Sequence, residues 1–213
     1  MIHLITSFYQ STKTDDIYIK RNIELLNSLK KNIECPLISK IHLYLDNEND
    51  GNVINNLENN HKINIISTGY QPLYSDLFEY AFNNLKNEIC MISNSDIYLH
   101  ECDIDCLNRL DNNIFALSRY EYDMSCPLIN TYQGSHDAFI FKSPLNINLD
   151  NIKHVQNVWG SENSVIDNIC DHGYNVFNPC YQIKIVHLHE SQLRNDDRIR
   201  IPGGRYLFEP KNY

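Results

Sequence analysis

Glu88-Ile-Cys-Met-Ile-Ser-Asn-Ser-Asp-Ile-Tyr-Leu99 is the stretch on which the fold turns. An apolar run of strand length, Ile89–Ile92, stops at Ser93-Asn94-Ser95-Asp96, and a second apolar run starts at once. A strand buried on both faces reads as a continuous apolar run. In an open α/β sheet the carboxyl ends of such strands are where ligands bind. A lone Asp at that place suits a divalent cation held against phosphates. The plainer alternative is a polar turn in which Asp96 caps the next segment.

Upstream, strands and helices alternate. Ile2–Phe8 reads as a first strand, and Asp15-Asp16 opens a helix whose apolar face carries Ile17, Ile19, Ile23, Leu26 and Leu29. Ile41–Leu45 is a second strand ending at Asp46, Val53–Asn59 a short helix and Ile63–Ser67 a third strand. Tyr74–Leu85 is helical, and Ile89–Ile92 then delivers Asp96. Strands separated by helices imply parallel pairing with helices on both faces. The expected fold is therefore α/β, a single domain around a mixed, mainly parallel sheet. Downstream the pattern is less regular. Ile114–Ser118, Ala138–Phe141, Tyr174–Phe177 and Gln182–His189 read as strands, with a loop over Glu121–Ser135. Ser164–Asp171 reads as a helix closed by Gly173. The tail Arg198–Tyr213 is expected to wrap over the core.

The 213 residues carry a net charge of −9, so no basic stripe exists to neutralise a nucleic-acid backbone. No apolar run approaches membrane-spanning length. Met1 leads directly into the first strand, and seven cysteines, an odd number, sit partly inside apolar runs. Both features fit a reducing, cytoplasmic protein with free thiols and no secretory signal. Cys102-Asp-Ile-Asp-Cys106 lacks the second half of a zinc site.

Polar clusters fall at the ends of the apolar runs. Thr6-Ser7-Phe8-Tyr9 follows the first strand, Asp46-Asn47 the second and Asn94-Ser95-Asp96 the fourth. His187-Leu-His189 puts two imidazoles on one face of a late strand, with Glu190 and Arg194 beyond. Neutral imidazole with a carboxylate suits Mn²⁺, Zn²⁺ or Fe²⁺, while a satisfied structural histidine is the bland reading. In Trp159-Gly-Ser-Glu-Asn163, Glu162 stands near a helix start, either as a dipole-favoured first-turn residue or as a general base. Gly134-Ser-His-Asp137 precedes a strand, and Asp137 either binds hydroxyls or forms an Asx turn.

The order of these features resembles GT-A glycosyltransferases. A Thr-Ser/Phe end on the first strand, an Asp after the fourth, Trp-Gly-x-Glu and a late strand ending in His all follow in sequence. More narrowly, Tyr74-Ser-Asp-Leu-Phe-Glu-Tyr80, Ser93-Asn-Ser-Asp-Ile-Tyr98, Ser135-His-Asp-Ala-Phe-Ile-Phe141 and Gly173-Tyr-Asn-Val-Phe-Asn-Pro179 resemble a family of small glycosyltransferase-like proteins. The resemblance implies a donor-binding half over 1–99 and an acceptor-side half over 100–213. It implies a metal site at Asp96 with His187 or His189, loaded with Mn²⁺ or Mg²⁺. The usual Asp-x-Asp signature is reduced here to Asn94-Ser95-Asp96. Thr6, Ser7, Tyr9, Asp46, Tyr74, Asn94, Ser95 and Arg119 are implied on the donor, with Arg119 meeting phosphates bidentately or else forming a salt bridge. Glu162 and Asp137 are implied as the catalytic carboxylates.

The activity implied is inverting transfer of a sugar from a nucleotide-diphosphate sugar, a UDP-sugar first, to a glycan or other hydroxyl. A non-catalytic nucleotide-sugar-binding module of a larger glycan-synthesis protein is the alternative. A nucleotidyltransferase ranks last, because Thr6–Thr14 holds no glycine for a phosphate loop.

Overall fold

A computed structural model describes residues 1–47, 50–126, 136–193, 199–204, 206 and 208–212. Gly134, Ser135 and Arg194, which the sequence places near the site, lie outside the described residues, as do Arg198 and Tyr213 of the tail. The strands β1 (Ile2–Phe8), β2 (Ile38–Leu45), β3 (Ile63–Ser67) and β4 (Ile89–Ser93) are parallel neighbours in the order β3-β2-β1-β4. Between them run α1 (Asp16–Glu34), α2 (Asp50–Asn55) and α3 (Tyr74–Asn84). After β4 come β5 (Ile97–Cys102), α4 (Ile104–Leu107), β6 (Asn113–Leu117), β7 (Tyr120–Glu121) and β8 (Ala138–Lys142). The elements α5 (Ser161–Asp171), β9 (Asn175–Phe177) and β10 (Ile183–His187) complete the order.

The main sheet has seven strands in the order β3-β2-β1-β4-β8-β6-β9. Strand β8 runs antiparallel to both β4 and β6, and β6 is parallel to β9. Side chains alternate across it. Leu4, Leu43, Met91, Phe115 and Ile140 face α1, where they meet Leu25, Leu29 and Ile33. Ile5, Ile92, Ala116, Phe139 and Phe141 face the other way onto Leu77 and Phe78 of α3 and Val165, Ile166 and Ile169 of α5. Both faces are covered by helices, as the alternation requires.

Helix α1 is rotated from the face the sequence suggests. Ile17, Ile19 and Ile23 are exposed, while Arg21, Glu24, Leu25, Ser28, Leu29, Asn32 and Ile33 are buried. Arg21, Glu24 and Asn32 of the buried stripe have partners, which removes most of the cost of desolvating them, while Ser28 Oγ has none among the described residues. Asn32 donates to the Ile97 carbonyl at 2.9 Å and accepts from the Leu99 amide at 3.0 Å, stitching α1 to β5. Two helix starts also differ. α2 begins at Asp50, whose carboxylate accepts from the Gln10 amide. α5 begins at Ser161, because Gly160 at φ 94° turns the chain there. That start puts Glu162 in the first turn.

A second sheet of three strands, β5-β10-β7, stands beside the first and has no counterpart in the sequence reading. Its register brings His187 opposite Ile97 on one side and Glu121 on the other. The Leu188 amide then donates to the Asp96 carbonyl at 2.9 Å. The small sheet thus carries the late histidines to the end of β4.

Away from that edge, His3 on β1 stacks on His42 of β2, with Nδ1 and Nε2 3.0 Å apart. The other His42 nitrogen meets the Tyr80 hydroxyl of α3 at 2.8 Å. Burial, and then the neighbouring His3, push the His42 pKa down from 6.5 to about 4. Between these values the unfolded chain takes up a proton that the folded chain refuses, so stability falls as pH drops from 6.5 toward 4. Urea unfolding across that range should show this loss, and His42→Gln should make it smaller by the His42 share, leaving that of the other buried histidines His136 and His189.

Candidate functional site

The turn between β4 and β5 supplies Asp96, which is 2 % exposed. Its Oδ2 accepts from Nη2 of Arg21 at 2.6 Å and from Nε2 of His187 at 3.1 Å. Burial alone would raise the Asp96 pKa, but His187 and then Arg21 hold the carboxyl well below the usual carboxylate range. His187 is raised the other way, to about 9. Burial opposes its charge, but Asp96 and then Glu121 outweigh it. Its Nδ1 reaches Glu121 Oε2 at 3.2 Å, and that bond depresses Glu121 to about 2.

His189 differs. Its Nε2 donates to the Leu193 carbonyl at 2.9 Å, and burial followed by the Arg21 charge lowers its pKa to about 4. The ring is neutral at pH 7, so its Nδ1, 4.0 Å from Asp96 Oδ2, carries a lone pair. A backbone carbonyl fixing the far nitrogen is the usual support of a metal-ligating histidine. Ligand atoms of Asp96, His187 and His189 all lie within 4.8 Å of one another. Asp96 Oδ1 is buried with no hydrogen-bond partner, as are Ser93 Oγ, Asn94 Oδ1 and Ser95 Oγ. Orphaned oxygens beside a neutral imidazole are what a hard divalent cation requires. The residues present fit such an ion.

The second group gathers around Arg119, Asp137 and Glu162, in the later half of the chain. Arg119 follows β6 and donates to Glu121 Oε1 at 3.0 Å and to Asp137 Oδ1 at 2.9 Å, so it forms the salt bridge. The Asn94 amide nitrogen donates to the Asp137 carbonyl at 3.3 Å. Ser161, the Asn94 side chain and Tyr74 lie close enough to Glu162 to act on its ionisation. Burial first, and the negative charge of Asp137 second, raise Glu162 to about 7. A carboxyl poised there takes up or gives a proton near neutral pH.

The remaining sequence candidates divide by depth. Tyr9 and Asp46 line an open cleft of about 660 Å³ at the carboxyl ends of β1 and β2, with Gln10, Ser11, Lys13 and Asp50. Tyr9 also acts electrostatically on Arg21, the partner of Asp96. Thr6 and Ser7 lie deeper. Thr6 Oγ1 donates to the Ser93 carbonyl at 2.9 Å and Ser7 Oγ to Gln156 Oε1 at 3.2 Å. Tyr74 is 1 % exposed and lies under Glu162. The sequence reading missed Arg21, Glu121 and Gln156. For Arg21 a signal existed. Arg21, Glu24, Ser28 and Asn32 recur at helical spacing, a polar stripe alongside Leu25 and Leu29.

Solved structures share this architecture. TarS of S. aureus superposes with a TM-score of 0.54 at 12 % identity, over 88 % of this chain and 36 % of TarS. The fold is that of a GT-A glycosyltransferase. The mannosyltransferase PcManGT of Pyrobaculum calidifontis, solved with GDP-Man and Mn²⁺, gives a TM-score of 0.54 at 10 % identity, over 88 % of this chain and 56 % of its own. The chain thus spans about a third of one neighbour and just over half of the other. No protein-family model matches it, and no curated protein matches its sequence. Among the described residues no helix is long and apolar enough to cross a membrane.

Within this GT-A frame the Arg21–Asp96 pair is buried on both sides. Removing one partner of a buried pair leaves an uncompensated charge. Arg21→Ala should cost about 3–5 kcal/mol of unfolding free energy. Adding Asp96→Asn should recover part of that loss in urea melts.

Proposed function

We propose that this chain transfers a sugar from a nucleotide-diphosphate sugar to an acceptor hydroxyl. One observation carries the reading. A buried carboxylate with an orphaned oxygen stands beside a neutral histidine, in a fold that also carries a cleft at the ends of β1 and β2 and a glutamate poised near pH 7. The GT-A frame, shared with a mannosyltransferase solved with GDP-Man and Mn²⁺, supports it.

Residues 1–99 form the donor half in this reading. Tyr9 and Asp46 hold the nucleoside in the cleft, and Thr6, Ser7 and Tyr74 brace its floor from within. Asp96, His187 and His189 would hold Mn²⁺ or Mg²⁺, with His187 giving up the proton that Asp96 and Glu121 otherwise keep on it, and the ion would supply neutralisation of the negative charge developing on the diphosphate. Asn94 and Ser95 present their unpartnered oxygens to the sugar's hydroxyls. Arg119, clamped by Glu121 and Asp137, adds fixed positive potential behind the leaving group.

Residues 100–213 form the acceptor half. The acceptor oxygen attacks the anomeric carbon while Glu162 takes its proton, and the bond from that carbon to the diphosphate breaks. Attack opposite the leaving group inverts the anomeric centre. Asp137 keeps the pKa of Glu162 high, which makes it a stronger base, and accepts a hydrogen bond from a neighbouring acceptor hydroxyl.

Ligand binding to the folded state alone raises apparent stability. UDP or GDP should raise the melting temperature in the presence of Mn²⁺, and Asp96→Asn should abolish the part that depends on Mn²⁺. No shift with any nucleoside diphosphate sinks the donor reading.

Glu162→Gln should leave nucleotide binding intact and lower turnover by about 100-fold or more. For the native chain the rate should rise with pH through about 7, as Glu162 ionises. Unchanged turnover in Glu162→Gln removes it from the base role. Tight donor binding with no nucleotide released, to water or to glycan acceptors, favours the binding-module reading instead.

A further inference from the structure

The C-terminal segment touches the immediate chain neighbours of each acceptor-side carboxylate and of Arg119. Beside Glu162, the Ile201 amide donates to the Trp159 carbonyl at 2.8 Å, and the Tyr206 amide donates to Asn163 Oδ1 at 3.2 Å. Beside Asp137, the Phe208 ring lies edge-on to His136, with centroids 5.9 Å apart. Beside Arg119, contact runs through Asn178. Asn178 Oδ1 accepts from the Ser118 amide at 3.1 Å, while its Nδ2 donates to Ser118 Oγ at 2.9 Å and to the Phe208 carbonyl at 2.8 Å. The Asn178 carbonyl accepts from the Lys211 amide at 3.1 Å. Asn178 is 2 % exposed, so these bonds form out of water, where breaking them is costly.

Gly160 makes the close approach possible. A Cβ there would lie 2.6 Å from the Ile201 carbonyl oxygen, and φ of 94° disfavours any side chain at that position. Three separate loops therefore meet one strand of chain, although β6, β8 and α5 are far apart in sequence.

We propose that residues 199–204, 206 and 208–212 form a strap, anchored by Asn178 and admitted by Gly160, that positions Asp137 and Glu162 as one acceptor-side unit. Asn178 and Gly160 are positioning residues, acting through the loops they hold and not through substrate. The assignment rests on reading Glu162 as the acceptor's base. The donor side, built on β1, β2, α1 and β10, meets none of these strap contacts. Releasing the strap thus loosens the base and leaves the nucleotide cleft as it was.

The test uses the full chain with carboxyl-labelled glutamate, observed by NMR, the Glu162 signal being assigned by its loss in Glu162→Gln. Asn178→Asp keeps acceptors for Ser118 but loses the donor to Phe208. Gly160→Ala displaces the Ile201 carbonyl. Phe208→Ala removes a half-buried ring and serves if either of the others fails to fold. Faster hydrogen exchange at the Ile201 and Lys211 amides reports release. With release, the Glu162 titration midpoint should fall by about one unit or more, toward the ordinary carboxylate range, as water reaches it beside Asp137 and Tyr74. The Mn²⁺-dependent shift with UDP or GDP should stay unchanged. A midpoint that holds while the strap amides exchange freely overturns the proposal, as do variants in which neither changes. Failure of the native chain to bind either nucleotide overturns the donor reading alone, since the glutamate signal is read without ligand.

Discussion

A carboxylate as enclosed as Asp96 stays ionised only while positive groups face it, and its two cationic partners come from opposite ends of the chain. Arg21 lies on the first helix and His187 at the end of the last strand. Neither could be desolvated alone at an acceptable cost, so the three charges have to be buried together. The pairing draws further groups in. Glu121 holds the outer face of His187, Arg119 holds Glu121, and Asp137 holds Arg119. A file of alternating charges thus runs from α1 across both sheets to the start of β8. It adds a polar lock to the apolar contact through which Ile97, Leu99, Ile183 and Ile185 of the small sheet share one core with the large one.

Much of this was written in the sequence in a form that elementary rules can read. Ile2–Phe8, Ile63–Ser67 and Ile89–Ile92 are runs of apolar residues separated by helical spacing, and they pair as expected. Asp96, His187 and His189 converge as their placement at strand ends implied. What could not be read was anything set by partners across the fold. Ile17, Ile19 and Ile23 look like a core face, yet α1 turns them outward so that Arg21 and Asn32 can reach Asp96 and β5. Glu121 gains its meaning from a two-residue strand too short to carry a periodic signal. Gln156, which donates to the Ser93 carbonyl at 2.9 Å, sits in a turn without any pattern.

The missing second carboxylate of the β4 turn has a physical explanation in the same set of contacts. Asn94 lies close to Glu162, which already stands beside Asp137. A third negative charge at position 94 would face both of them. The amide instead adds no charge beside Glu162 and keeps an acceptor oxygen. His187 and His189, not a second carboxylate, stand with Asp96 there, their ligand atoms within 4.8 Å of one another.

The reversed direction of β8 changes where this architecture can vary. In a purely parallel sheet every functional loop follows its strand. Because β8 runs against β4, with Ala138 opposite Ser93, its beginning and not its end lies at the ligand edge. Asp137 reaches the site from ahead of its strand, so insertions just upstream of it would reshape its surroundings without altering any crossover among β1, β2, β3 and β4. The polarity of a single strand thereby leaves the surroundings of Asp137 and the crossovers among β1 to β4 to different stretches of chain, free to vary separately.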